Sequence, residues 1–393
     1  MIIAALLALG AAHESAAETY AVRAGRVIPV SSGEIQDGVL LVRNGQIAAL
    51  GAWGTVDIPA GVRVVDLSGS VIVPGIVDIH PAFAPGVANE ETTEVTPDVR
   101  VAEWVNPDAP EWQRARALGI TTAVVSPGTR NVIGGLSAAM KTDGTSVVRD
   151  PLSLVASMGQ DPSVGNWPPR AGQPNLFARR PTTRMGVVWQ FRDAFVHAPD
   201  RGDETLVRAL EGELPVWITA RRATDIETAL NLAEEFGLRL TLVEAHEAGR
   251  LAVTIRERGV SVVLRPHVRV DTVYSDEGTR PRISAARSLL DAGVRVAICG
   301  ASLTESGSGV GLIALLVRSG LTREEALRAL TLTPAEIAGI GDRVGSLEPG
   351  KDADFVILDG DPSAAMTAIR TVVIRGTPQW GSLPIEGKEG GSP

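Results

Sequence analysis

The stretch Val71–Phe83, VIVPGIVDIHPAF, limits the possible folds more than any other part of the chain. Two short runs rich in β-branched residues, Val71–Val73 and Ile76–Ile79, flank Pro74-Gly75. Proline cannot donate to a strand ladder and glycine accepts tight backbone geometry. The pair therefore reads as a strand leaving one sheet, turning, and opening another. The second run carries Asp78 and leads into His80. An ionisable side chain at the C-terminal end of a first parallel strand sits where α/β barrels keep their chemistry.

On either side of this junction the hydrophobic period changes. From Thr19 to Val73 apolar residues alternate with polar ones, and Arg-Asn-Gly and Ser-Gly break the runs as hairpin turns would. A similar block closes the chain, with Phe355–Leu358 as one of its strands. Between the blocks, strand-like runs alternate with helical ones, as a parallel α/β arrangement requires. The strands are expected at Thr121–Ser126, Val216–Thr219, Arg239–Val243, Ser261–Leu264 and Val294–Cys299. The helices are expected at Thr224–Phe236, Ala285–Ala292 and Thr322–Leu330. Asp225 is the expected start of the first of these helices, and Thr322 with Glu325 forms a capping box for the third. Pro127–Lys141 reads as a long Gly-bearing loop that lacks the Gly-Lys-Ser/Thr of a phosphate-binding loop.

With 393 residues, the chain exceeds one ordinary core and suits an α/β barrel plus a smaller domain. A net charge of −9 with no Lys/Arg-rich run argues against a nucleic-acid partner. Met1–Ala12 is apolar but too short for a transmembrane span. Ser15, Ala16 and Ala17 suit a signal-peptidase site before Glu18, so the expectation is a signal peptide over residues 1–17 and an exported or periplasmic protein, with a cytoplasmic one as the alternative. Residues 382–393 are polar and Gly-rich, and read as a flexible tail. The single Cys299 excludes an internal disulfide.

Pro74, Gly75, Ile76, Val77, Asp78 and His80 together resemble the first barrel strand of the amidohydrolase superfamily, PG-(I/L)-(I/V)-D-x-H-x-H. Val344–Asp354 resembles the sequence by which that family returns to its small domain. Asn131–Gly135 (NVIGG), Asn89–Pro97, Asn106-Pro107, Met158-Gly159 and Thr183–Gly186 resemble an imidazolonepropionase-like branch of the family. The resemblance implies a TIM-type (β/α)8 barrel over residues 74–343. It also implies a composite β-sandwich built from both chain ends, residues 18–73 plus 344–381.

Members of this family hold a divalent metal with histidines and an aspartate at strand ends, and the metal activates water and polarises a carbonyl. Position by position, most of those donors are replaced here. Ala82 stands at the second histidine of the first strand. Thr219 and Arg221 stand at the two histidines of an H-A-H-R-A-D-D-I-like run, and a permanently charged guanidinium cannot ligate a cation. Ala245 and Arg250 replace the histidines of an E-H-G-T-E-G-H-like run, with His246 one residue out of register. Ala301, beside Ser302, replaces the aspartate of the last strand. His80 alone remains of the ligand-type residues. His13 lies in the leader, His197 in a polar loop, and His267 follows Pro266 beyond a strand. Cys299 reads as small core filler.

The resulting expectation is a non-catalytic member of the fold with no catalytic residue, metal or cofactor. Its mouth would be lined by His80, Asn131, Gly134, Gly135, Arg221, His246 and Arg250. Arg221, Arg222 and Arg250 could there receive a small anionic ligand, since guanidinium forks match carboxylate and phosphate. Alternatively, these arginines pair with Glu244, Glu247 or Asp225 and neutralise a polar cavity. The competing functional expectation is an active hydrolase of amide or cyclic-amide C–N bonds, using zinc at His80 with His246, His267 and Glu244. The resemblance further suggests a homo-oligomer, or a complex with a catalytically complete amidohydrolase.

Overall fold

A computed structural model describes residues 19–80, 89–164, 166, 179–265, 284–299 and 309–383. Strands β1 (Thr19–Val27), β2 (Ile35–Arg43), β3 (Gln46–Ala52) and β4 (Arg63–Pro74) open the described chain. Its centre supplies β5 (Ile76–Asp78), β6 (Ile120–Val125), β7 (Ile133–Leu136), β8 (Ala138–Lys141), β9 (Val147–Arg149) and β10 (Leu154–Ser157). There follow β11 (Val216–Thr219), β12 (Leu240–Val243), β13 (Ser261–Leu264) and β14 (Val296–Ile298), and then β15 (Phe355–Leu358), β16 (Ile369–Ile374) and β17 (Thr377–Gly381). Both ends of the chain meet in one seven-stranded mixed sheet, ordered β17-β16-β15-β4-β1-β2-β3. Its core includes Tyr20, Val22, Leu40, Ile72, Phe355, Ile357 and Val373.

Pro74-Gly75 performs the change of sheet that its sequence suggests. β4 ends there against β15, and β5 starts a separate sheet parallel to β6. Gly75 is required at this point, because a Cβ would lie 2.1 Å from the Thr121 hydroxyl. Its N–H donates to the Asp354 carbonyl at 3.1 Å, tying the junction to the returning chain. Asn44-Gly45 turns β2 into β3 with both residues at positive φ (55° and 75°), the geometry of a tight hairpin. The Ser68-Gly69 pair, in contrast, does not turn the chain. It lies inside β4 opposite a register shift in β1, where a Cβ on Gly25 would meet the Ser68 carbonyl at 2.3 Å.

The centre forms an α/β arrangement of two further sheets, β14-β13-β12-β11-β10-β7 and β5-β6-β8-β9. Strands β10 to β14 pair in parallel with one another, and β7 joins the free edge of β10 antiparallel. Alternate residues on these strands serve two different cores. Val216, Ile218, Leu240, Leu242, Val262, Leu264, Val296 and Ile298 join a core shared with helices such as Ala223–Phe236. Trp217, Val243, Val263, Ala297 and Cys299 face the other way and pack with Val77 and Val124. Strands buried on both faces read as unbroken apolar runs, and their limits are visible in the sequence for that reason.

Two further expectations need correction. Pro127–Lys141 is not one loop, since Ile133–Leu136 and Ala138–Lys141 are strands. Their glycines disguise them, and Gly135 (φ +116°) is held so close to the Val99 carbonyl that a Cβ would lie 2.3 Å away. The helix expected to start at Asp225 begins at Ala223, whose N–H donates to the Glu247 side chain at 2.8 Å. A carboxylate from another segment satisfies the first turn, so no local capping residue marks it. The Thr322–Glu325 capping box forms as expected. Among the described residues, no helix is long and apolar enough to cross a membrane. Residues 1–17, Ala82, His267, Ala301, Ser302 and the tail from 384 lie outside the described residues.

Candidate functional site

The inward-facing register of the parallel strands determines what reaches their C-terminal ends. On β11, Trp217 and Thr219 share a face, and two residues further on comes Arg221. On β13, Val263 is followed in the same way by Arg265. Simple alternation on β12 would make Val243 the last inward residue and send Glu244 outward. Glu244 instead has φ +52°, a left-handed conformation uncommon for a side chain of its size. That twist turns its carboxylate inward, where it becomes the centre of an ion-pair cluster.

Glu244 is buried, at 1% exposure. Its Oε2 accepts from Arg221 Nη2 at 2.7 Å and Nε at 2.8 Å, a two-pronged guanidinium contact. Its Oε1 accepts from Arg265 Nη1 at 2.5 Å and lies 3.2 Å from His80 Nε2. Arg221 is itself buried and reaches in the other direction to Asp161, Nη1 to Oδ1 at 2.7 Å. Asp78 Oδ1 accepts the His80 backbone N–H at 3.2 Å, which fixes the chain as it leaves β5. Two arginines are thus neutralised by two carboxylates around one histidine.

Burial by itself would push the Glu244 carboxyl up. The hydrogen bond from His80 and the charges of Arg221 and Arg265 outweigh it and hold the carboxyl well below the usual range. Burial would likewise lower the Arg221 guanidinium, but the Glu244 charge and the Asp161 hydrogen bond raise it instead. Each group therefore fixes the other in its charged form.

The expected pocket residues divide into two sets. His80 and Arg221 meet at Glu244. His246 is buried two residues beyond that carboxylate, and its backbone N–H donates to the Glu244 carbonyl at 2.7 Å. Asn131 is fully buried elsewhere and spans the loop that follows residue 89. Its amide donates to the Glu90 carbonyl and to the Thr96 hydroxyl, both at 2.9 Å, and its carbonyl accepts from Arg179. Gly134 and Gly135 lie within β7. Arg250 is 74% exposed, 3.8 Å from Glu247, and does not join the cluster. Asp225 pairs with Arg184 at 3.1 Å. Arg265 and Asp161 were not anticipated. Arg265 could have been found from its i+2 relation to Val263, whereas nothing local to Asp161 points to Arg221, 60 residues away. Among the described residues, no group of three or more His, Cys, Asp and Glu side chains is placed to hold a metal ion.

Comparison with known proteins places this geometry in context. The profile of the Amidohydrolase family matches residues 219–378. An imidazolonepropionase of Thermoplasma acidophilum is 26% identical over 363 residues, covering 81% of this chain and 82% of the relative. The amidohydrolase tasK of Hapsidospora irregularis is 26% identical over 370 residues, but this chain spans only 38% of its length. Among solved structures, an amidohydrolase from Thermotoga maritima superposes with a TM-score of 0.81 at 28% identity, covering 92% of this chain and all of that one. A zinc-bound adenosine deaminase of Xanthomonas campestris superposes with a TM-score of 0.57 at 19% identity and shares the fold alone. The chain has the amidohydrolase-superfamily fold and resembles that family in sequence.

Proposed function

We propose that this chain is a non-catalytic amidohydrolase, a binding or partner subunit in which an internal ion-pair cluster stands where its relatives keep a metal centre. The observation that carries this is Arg221, buried and bridging Glu244 to Asp161. A catalytic zinc needs about three protein donors and one open position. The donor set at these strand ends does not fit that need. His80 is on Glu244, and the same carboxylate is shared by two guanidiniums, so a divalent cation would enter beside fixed positive charge. No reaction step is assigned to the cluster.

We further infer a closed (β/α)8 barrel and a composite β-sandwich, and place the chain in the imidazolonepropionase-like branch. The shared inner core of β5, β6 and β11 to β14 supports the barrel. Similarity to an imidazolonepropionase over four-fifths of the chain supports the branch. A related, catalytically complete amidohydrolase is the partner best matched to a barrel that has kept its scaffold without its donors. Export remains part of the proposal, on the strength of residues 1–17.

The competing function, hydrolysis of C–N bonds at an atypical zinc site, draws on the retention of His80 at the end of β5. Turnover of cyclic amides and N-acyl amino acids by the full chain, with Zn²⁺ supplied, separates the two. No turnover above a His80→Ala control is expected. Turnover that the His80→Ala substitution removes would overturn the non-catalytic proposal.

A further inference from the structure

The opposite ends of the same strands border a half-open cavity of about 610 Å³. That volume is within the ordinary range of small-ligand sites, about 300–1,000 Å³. Its walls include Leu238, Leu240 and Val260, which are almost fully buried, and the buried polar residues Thr241 and Ser261. Three arginines line it: Arg239 just before β12, Arg295 just before β14, and Arg258. β12 and β14 flank β13. At about 4.8 Å per strand, the Arg239 and Arg295 backbones stand about 10 Å apart across the opening.

The two carboxylates that line the cavity are already engaged. Glu234 pairs with Arg258 at 3.1 Å, and Glu336 pairs with Arg328 at 2.8 Å. Arg239 Nη1 donates to the Gly212 carbonyl at 2.8 Å and has no acidic partner among the described residues. The Arg295 backbone carbonyl accepts from the Val262 N–H at 2.9 Å, and its guanidinium has no acidic partner among the described residues. Two guanidinium charges therefore face a partly apolar cavity without a balancing carboxylate among the described residues. A planar fork of donors at each side of the opening suits an oxyanion, and the Leu and Val walls suit an apolar body.

We propose that this end of the strand array is a binding site for a small organic oxyanion, a carboxylate or phosphate carried on an apolar group. The site lies at the far end of the strands from Arg221 and Glu244 and does not depend on how that cluster functions.

The test is calorimetric titration of the full chain at low ionic strength, where screening is weak. Phenyl phosphate and benzoate are the two probes, with inorganic phosphate as a headgroup-only comparison. Saturable binding of phenyl phosphate or benzoate is expected, and which of them binds identifies the headgroup. Losing one charge-assisted fork in Arg295→Ala or Arg239→Ala should weaken binding by about tenfold or more. Arg295→Lys should retain part of it, and Arg250→Ala, exposed and remote, should bind as the wild type does. Circular dichroism of each variant separates lost binding from lost folding. Absence of saturable binding by either organic probe would overturn the proposal, as would wild-type affinity in folded Arg295→Ala and Arg239→Ala proteins.

Discussion

Arg221 and Glu244 each make the other's burial tolerable. Removing one partner of a buried pair leaves an uncompensated charge and costs about 3–5 kcal/mol. Arg221→Ala should therefore lower the free energy of unfolding by about that amount, read from urea melts. A loss below about 1 kcal/mol would mean that the bridge from Glu244 to Asp161 is not held in solution. The pH dependence has a definite sign. The folded-state value of Glu244 lies below its ordinary 4.5, so the unfolded chain takes up that proton first as pH falls. The stabilisation is complete above about pH 4.5 and is lost as pH drops towards the folded-state value. The stability gap between wild type and Glu244→Gln should accordingly be widest near neutrality and shrink progressively on acidification. A gap that stays constant with pH would show that Glu244 does not titrate as a buried, paired carboxylate. The candidate site was only half legible at this scale. His80 and Arg221 follow from their strand positions. Glu244 is the centre because of a left-handed backbone angle, and no residue type in EAHEAGR announces that angle.

At the scale of elements, the junction between β4 and β5 carries the transition from one sheet to the other. An added methyl at Gly75 would lie 2.1 Å from the Thr121 hydroxyl and 2.3 Å from its methyl. Gly75→Ala should cost about 1–3 kcal/mol by overpacking. Gly75→Ala/Thr121→Ala should recover part of that loss, and failure to recover any would place the strain elsewhere in the junction. A second tie between the units is ionic. Lys141, at the end of β8, is fully buried, with Nζ 2.6 Å from Asp354 and 2.8 Å from Asp352. Burial raises the Asp354 carboxyl, and Lys141 offsets this only in part. Asp352 keeps Arg343 at 3.1 Å, but Lys141→Met leaves Asp354 buried without its cation and should destabilise by about 3–5 kcal/mol in thermal or urea melts. A near-neutral result would mean that water enters and solvates the aspartates. Sequence reading located most strands of the centre to within a residue or two, because they are apolar on both faces. It failed where glycines hide strands, at Ile133–Leu136, and where a distant side chain supplies the cap, as Glu247 does for Ala223. Lys141 gave no sign of its partners, which are more than 200 positions away in the chain.

Over the whole molecule, one pattern recurs. A sheet built from both chain ends is joined to an α/β centre, and the strand ends of that centre close on themselves through five side chains, His80, Asp161, Arg221, Glu244 and Arg265. Fold and metal chemistry are separable in such a scaffold, because the core is made of packed side chains whereas the chemistry depends on a few strand-end donors. The fold could be read from the sequence because it is encoded redundantly, in period, punctuation and turn chemistry over many residues. The strand-end cluster could not be read as fully, because its geometry depends on contacts between segments far apart in the chain. The most direct test of the central claim is bound metal per chain, measured by mass spectrometry after purification without chelator or affinity-tag metal and incubation with Zn²⁺, alongside the melting temperature. No tightly held zinc and an unchanged melting temperature are expected. About one zinc per chain, raising the melting temperature and lost in His80→Ala, would contradict the claim that an ion-pair cluster has taken the place of the metal centre.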